Sequence, residues 1–202
     1  MMYYRLPSGA ATSNIRLLIP HVINPQFLSD AELELHGVAR CKIETPTVEW
    51  WQKKGEKLID TSSTPHVITW SVEDRDLDEV KGAAWQRIKE ERETRQSGLM
   101  PYTYPDGSLH TNRMSEKTIR DLSSSTTAAI ALSSTGVTDP IMPWTVEENI
   151  THWLTPEQMI AFGLAATQWY SAIHATSQQI RAAIYGAQTV AEVVQAAQWP
   201  ES

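Results

Sequence analysis

Six histidines, at positions 21, 36, 66, 110, 152 and 174, and the single cysteine, Cys41, are the side chains best suited to ligate a metal or attack a substrate. No two histidines have metalloprotease spacing, and a lone cysteine makes neither an internal disulfide nor a cysteine zinc site, so Cys41 reads as a small buried apolar residue. His110 and His152 fall on two different predicted hairpins that could meet. A metal centre there needs a third ligand that the sequence does not name, so the simpler reading is ribbon or surface histidines, and no metal or cofactor is expected. Glu147 and Glu148, with Asp139, could pair for acid/base work, but a tight polar turn accounts for them with no partner and no shifted pKa. The sequence has no glycine-rich phosphate loop, no dinucleotide fingerprint and no nucleophile elbow. The expectation is that the protein is not an enzyme.

The aromatic content offers a different chemistry. Eight tryptophans against two phenylalanines is an unusual bias, and tryptophan joins a large apolar face to one N–H that must be satisfied, which suits half-buried ribbons and subunit contacts. Trp144, Trp153 and Trp169 could stack on a sugar, but the economical reading packs the two ribbon tryptophans onto the Trp169 face of a long helix. The candidate interface residues are Trp50, Trp51, Trp70, Tyr102, Tyr104, Trp144 and Trp153. A net charge of -7 and a pI near 5.4 argue against nucleic acid as a partner. No window approaches the roughly 18 to 20 apolar residues of a membrane span, and the N-terminal residues lack a secretory pattern, so no membrane insertion is expected.

These side chains must be positioned by helices and ribbons. The longest signal runs from Thr155 to Ala187: Thr155 caps, Pro156 suits the first helical position, and Gln158 completes a capping box. Phe162, Ala166, Trp169, Ile173, Ile180, Ala183, Ile184 and Ala187 recur on one face. Before it, Pro140 to Val146 faces Ile150 to Leu154 across Glu147-Glu148-Asn149 as a hairpin, and an earlier hairpin turns at Pro105-Asp106-Gly107. A helix capped at Ser115 lies between the two hairpins with Ile119, Leu122, Ala129 and Ile130 as its apolar positions, and Gly136 stops it. Another helix opens after Asp76 with Val80, Ala84 and Ile88 inward, and a short one closes the chain from Thr189 to Ala197. The first 76 residues read as short strands, at Tyr3 to Leu6, Ile15 to Ile19, Val38 to Ile43, Pro46 to Trp51 and Val67 to Val72. The polar QKKGEK is a loop between the last two, and one small helix is boxed by Ser29 and Glu32. The fold class is therefore α+β: a small β-rich N-terminal domain, 1–76, followed by a helical bundle decorated with two β-hairpins, 77–202.

Several runs resemble a known family. LDEVKGAAWQRIKEERE, Tyr104-Pro105-Asp106-Gly107 with Leu109, WTVEENITHWLTPEQMIAFGLAATQW and HATSQQIRAAIYGAQTVAEV are similar to the uncharacterised helical C-terminal domain, DUF4376-like, that recurs in bacteriophage and prophage tail proteins. Trp144, Asn149, Leu154, Thr155, Gln158, Met159 and Gly163 match that family's run into its long helix. PTVEWWQKK followed by ITWSVEDRDLDEVK resembles the usual companion segment of short tail proteins. The resemblance brings no catalytic residue. It implies a structural component of a phage tail, an adaptor or tail-fibre-associated protein at the baseplate or fibre region. Such a protein would be made in the host cytoplasm and carried in the virion tail, contacting other tail proteins as a homo-oligomer or in multiple copies. The alternative it leaves is a tail-fibre assembly chaperone absent from the mature virion.

Overall fold

The computed structural model describes residues 2–5 and 11–200; the Leu6 end of the first predicted strand lies outside them. The chain divides into two compact units, Met1–Asp76 and Leu77–Ser202.

The first unit is built on a five-stranded sheet of β1 (Met2–Arg5), β2 (Ala11–Thr12), β3 (Val38–Ile43), β4 (Gln52–Asp60) and β5 (His66–Asp74), in the order β2-β1-β3-β5-β4. The β4–β5 pair is antiparallel, and β5 lies parallel to β3. Successive residues of a strand point to opposite faces, and the two tyrosines of β1 accordingly enter different cores. Tyr3 packs with Ile15, Leu18, Ile19, Leu33 and Val38, and Tyr4 with Cys41 and Ile68. Cys41 is buried, as its type suggests. Helix α1 (Asp30–Leu35) carries the expected Ser29–Glu32 capping box and stops where Gly37 takes a positive φ of 68°.

Two sequence expectations fail in this unit, each for a local reason. Ile15–Ile19 is no strand. Asn14 accepts a hydrogen bond from the Arg16 N–H and opens a 3-10 turn at Ile15–Leu17, the kind of side-chain capping that competes with sheet pairing. A strand would place Ile15, Leu17 and Ile19 on one face, whereas Ile15, Leu18 and Ile19 are buried and Leu17 is 69% exposed. The second failure concerns Pro46 to Trp51 and the polar run after it. The strand is Gln52–Asp60, so the supposed QKKGEK loop is itself β structure. It forms the end strand of the sheet, where lysines blunt an open edge against further pairing.

The second unit places α2 (Leu77–Gln96), α3 (Glu116–Ser134) and α5 (Val190–Ala196) around α4 (Pro156–Gly186), with the ribbons β6–β7 (Leu99–Thr103 and Leu109–Arg113) and β8–β9 (Met142–Thr145 and Thr151–Leu154). Thr155 and Gln158 make the capping box that starts α4, and Thr189 with Glu192 makes another for α5. Val80, Ala84 and Ile88 are buried in α2, which packs on α4 and α5. Helix α2 is thus a packed element, and Trp85 sits half-buried beneath the Arg181 guanidinium at 5.4 Å.

On α3 only Leu122 and Ala129, seven residues apart, are buried among the four predicted apolar positions; Ile119 and Ile130 stand 39% and 57% exposed. The helix presents a narrow seam to α4 because Gly163 of α4 comes against Thr126. The principal core of this unit gathers Met100, Tyr104, Met114, Leu122, Met142, Leu154, Met159 and Phe162, so both ribbons are lids on the first half of α4.

Candidate functional site

Both ribbons use strand alternation to aim one row of side chains at α4. In β9, His152 and Leu154 turn inward and Trp153 turns out; Trp144, the register partner of His152, faces the same way as it does. The Trp144 ring packs edge-on against Phe162 at 5.2 Å, and Tyr102 reaches the same ring at 4.7 Å. The expectation that both ribbon tryptophans pack on the helix therefore holds for Trp144 and fails for Trp153, which is 61% exposed.

The buried polar atoms converge on a residue that the sequence reading missed, Asn112. Its Oδ1 accepts the Tyr104 hydroxyl at 2.9 Å and the Trp144 Nε1–H at 3.0 Å. Two aromatic tips entering a core each require an acceptor, and Asn112, 2% exposed and two residues from His110 on the same strand, supplies it. Tyr104, also 2% exposed, is a core residue and has no surface to offer a partner, which corrects its place among the interface candidates. Burial pushes its phenol well above the ordinary tyrosine range.

Glu147 and Glu148 are no free turn carboxylates. They latch one ribbon to the other: the Arg113 guanidinium donates to Glu147 at 2.8 Å, and Glu148 accepts the Thr111 N–H at 3.2 Å and its hydroxyl at 2.9 Å. The Glu147 N–H donates back to the Thr111 carbonyl at 3.1 Å. The Glu148 backbone N–H and the Thr111 hydroxyl hold the Glu148 carboxyl below its usual range; the Ser108 hydroxyl and N–H do the same for Asp106. The two histidines meet between these acids. Their ring centroids are 5.1 Å apart, and His152 stacks flat on Tyr104 at 3.9 Å.

The remaining candidates are dispersed. Trp50 and Trp51 meet edge to face at 5.3 Å ahead of β4, and Trp70 lies under the Lys54 ammonium at 5.2 Å, all three half-buried in the first unit. The surface feature that the sequence did not single out is a groove of about 740 Å³ between α3 and α4. Ile119, Leu122 and Thr126 line one wall, and Ile160, Leu164 and Tyr170 the other. Every side chain lining it is uncharged. The signal that could have found it is Ile119, an apolar position of α3 that the buried Leu122–Ala129 seam leaves 39% exposed at the groove.

No curated protein and no solved structure matches the chain. A family model, described as a domain of unknown function, DUF4376, matches residues 79–198, which is more than half of the chain and falls within the unit that carries the ribbons and the groove. The chain belongs to the DUF4376 family.

Proposed function

We propose that this protein is a structural component of a bacteriophage tail, an adaptor or tail-fibre-associated protein of the baseplate and fibre region that works through protein contacts in several copies. The likeness of its sequence runs to those of short tail proteins supports the setting. The observation that carries a contact role is the α3–α4 groove, where Ile119, Leu164 and Tyr170 remain 39%, 56% and 41% exposed along an uncharged channel. In a chain of net charge -7, such a neutral apolar strip is where another acidic tail protein or a second copy can approach without repulsion. Trp153, on the outward face of β9, adds an aromatic anchor of the type enriched at interfaces.

The test is to count this chain by mass spectrometry in purified, salt-washed particles. A fixed copy number, a multiple of three or six on the symmetry of tails, supports a built-in component. Absence from particles, with the chain found beside unassembled fibres in infected-cell lysate, refutes it in favour of an assembly chaperone.

A further inference from the structure

The histidine pair between the ribbons has a geometry that packing alone does not require. His152 has 9% of its side chain exposed, and its Nε2 is buried with no hydrogen-bond partner. Its Nδ1 lies 3.4 Å from Asp106 Oδ2, and His110 Nδ1 lies 3.7 Å from Glu148 Oε2. Each carboxylate thus faces the Nδ1 of its imidazole. With the proton on that nitrogen, the Nε2 lone pair is left free, the orientation of metal-bound histidines, whose carboxylate partner closes to hydrogen-bond distance. Two imidazoles sharing one tetrahedral ion through Nε2 at about 2.0–2.1 Å place their ring centres about 5 Å apart. His110 and His152 stand 5.1 Å apart.

We propose that His110 and His152 form a two-imidazole site for a late first-row divalent ion, Zn²⁺, Ni²⁺ or Cu²⁺, which staples β7 to β9. Among the described residues no group of three or more His, Cys, Asp or Glu gathers into a fuller set, so the two imidazoles are the protein's whole contribution, and water must enter beside the buried His152 Nε2 to complete the coordination. Imidazole donors favour Cu²⁺ over Ni²⁺ and Zn²⁺ and do not hold Mg²⁺ or Ca²⁺, which select oxygen ligands. The site needs no particular partner, so it stands or falls separately from the tail assignment.

The test uses the full chain in a His21→Gln background, because His21 and His36, 5.5 Å apart, are another close pair. Titration with Zn²⁺ in a calorimeter should saturate at one ion per chain. A hundredfold excess over Kd should raise the melting temperature by about 5–10 °C, and Mg²⁺ should leave it unchanged. His152→Gln and His110→Gln should each weaken Zn²⁺ binding at least tenfold, and Asp106→Asn and Glu148→Gln by about 10- to 100-fold. No saturable Zn²⁺ binding by the folded parent overturns the proposal, as does undiminished binding by His152→Gln. Should His152→Gln fail to fold, Asp106→Asn decides, since its side chain is 60% exposed: affinity equal to the parent's overturns the proposal.

Discussion

Gly163 tests the account of how α3 and α4 come together. An alanine Cβ built there would stand 2.3 Å from Thr126 Oγ1, 3.0 Å from its Cγ2 and 3.2 Å from its Cβ. Rotation about χ1 can carry the hydroxyl and the methyl away, but not the Cβ. Any rotation also breaks the hydrogen bond that the Thr126 hydroxyl donates to the Leu122 carbonyl at 2.8 Å. Two effects then compete. Glycine to alanine inside a helix gains about 1 kcal/mol in intrinsic propensity, whereas forcing a methyl into a filled contact costs about 1–3 kcal/mol, and the lost hydrogen bond adds about 1 kcal/mol. The expected net loss for Gly163→Ala is about 1–3 kcal/mol, seen as a fall in melting temperature of about 5 °C. The control is Thr126→Ala, which removes the two closest atoms and leaves only the contact at 3.2 Å. In the double variant the cost should vanish and the propensity gain return, a favourable coupling of about 2–4 kcal/mol in a double-mutant cycle. A Gly163→Ala protein that melts at or above the parent temperature would show that the helices part freely and that glycine is not there for close approach.

The ribbon tryptophans should separate in chemical denaturation: Trp153→Ala, 61% exposed, should cost about 1 kcal/mol, and Trp144→Ala, which loses the Phe162 contact and leaves Asn112 short of a donor, about 3–5 kcal/mol. Thr155→Ala removes the hydroxyl that accepts the Gln158 N–H at the start of α4, and thermal melts should show a loss of about 1 kcal/mol. Asp106 and Glu148 have folded-state pKa values below their ordinary ones, so their contribution is present above about pH 4 and is lost as the pH falls through the depressed values. Melting temperature should therefore drop on acidification below about pH 4, and the drop should be shallower in an Asp106→Asn, Glu148→Gln variant.

The elements that could be read from the sequence are those fixed by local chemistry. Capping boxes at Ser29 and Thr155 start helices where their spacing requires; a third, at Thr189, is seen in the structure. Asp106-Gly107 turns the first ribbon with Gly107 at a φ of 84°, the conformation that such a turn demands of glycine. The meeting of His110 and His152 was also legible as a possibility, because each lies on a hairpin strand. What was not legible depends on neighbours far along the chain. The polarity of Gln52 to Lys57 reads as a loop because its place in an end strand is visible only once β5 is known to lie between it and β3. Packing Trp153 onto the Trp169 face of the long helix overlooks the alternation of its own strand, which, with Leu154 at 1% exposure beside it, turns it out. Asn112 gave no signal of its own; its importance is set by the two aromatic donors that reach it from Tyr104 and Trp144.

The residues that carry the family likeness have structural work in this fold. Trp144 caps Phe162, Asn149 takes the left-handed conformation of the ribbon turn at a φ of 60°, and Leu154 and Met159 are each 1% exposed. Thr155 and Gln158 box the start of α4, and Gly163 admits Thr126. A run made of a core ring, a turn, a cap and a close approach specifies how a ribbon is seated on a long helix. It does not by itself specify what the finished unit binds: of these seven positions only Gly163 lines the α3–α4 groove. The groove residues Ile119 and Tyr170 and the outward Trp153 lie outside those seven positions, and they can change without disturbing the seat. Family membership therefore identifies the scaffold, and the function is carried by the surface that each member builds on it.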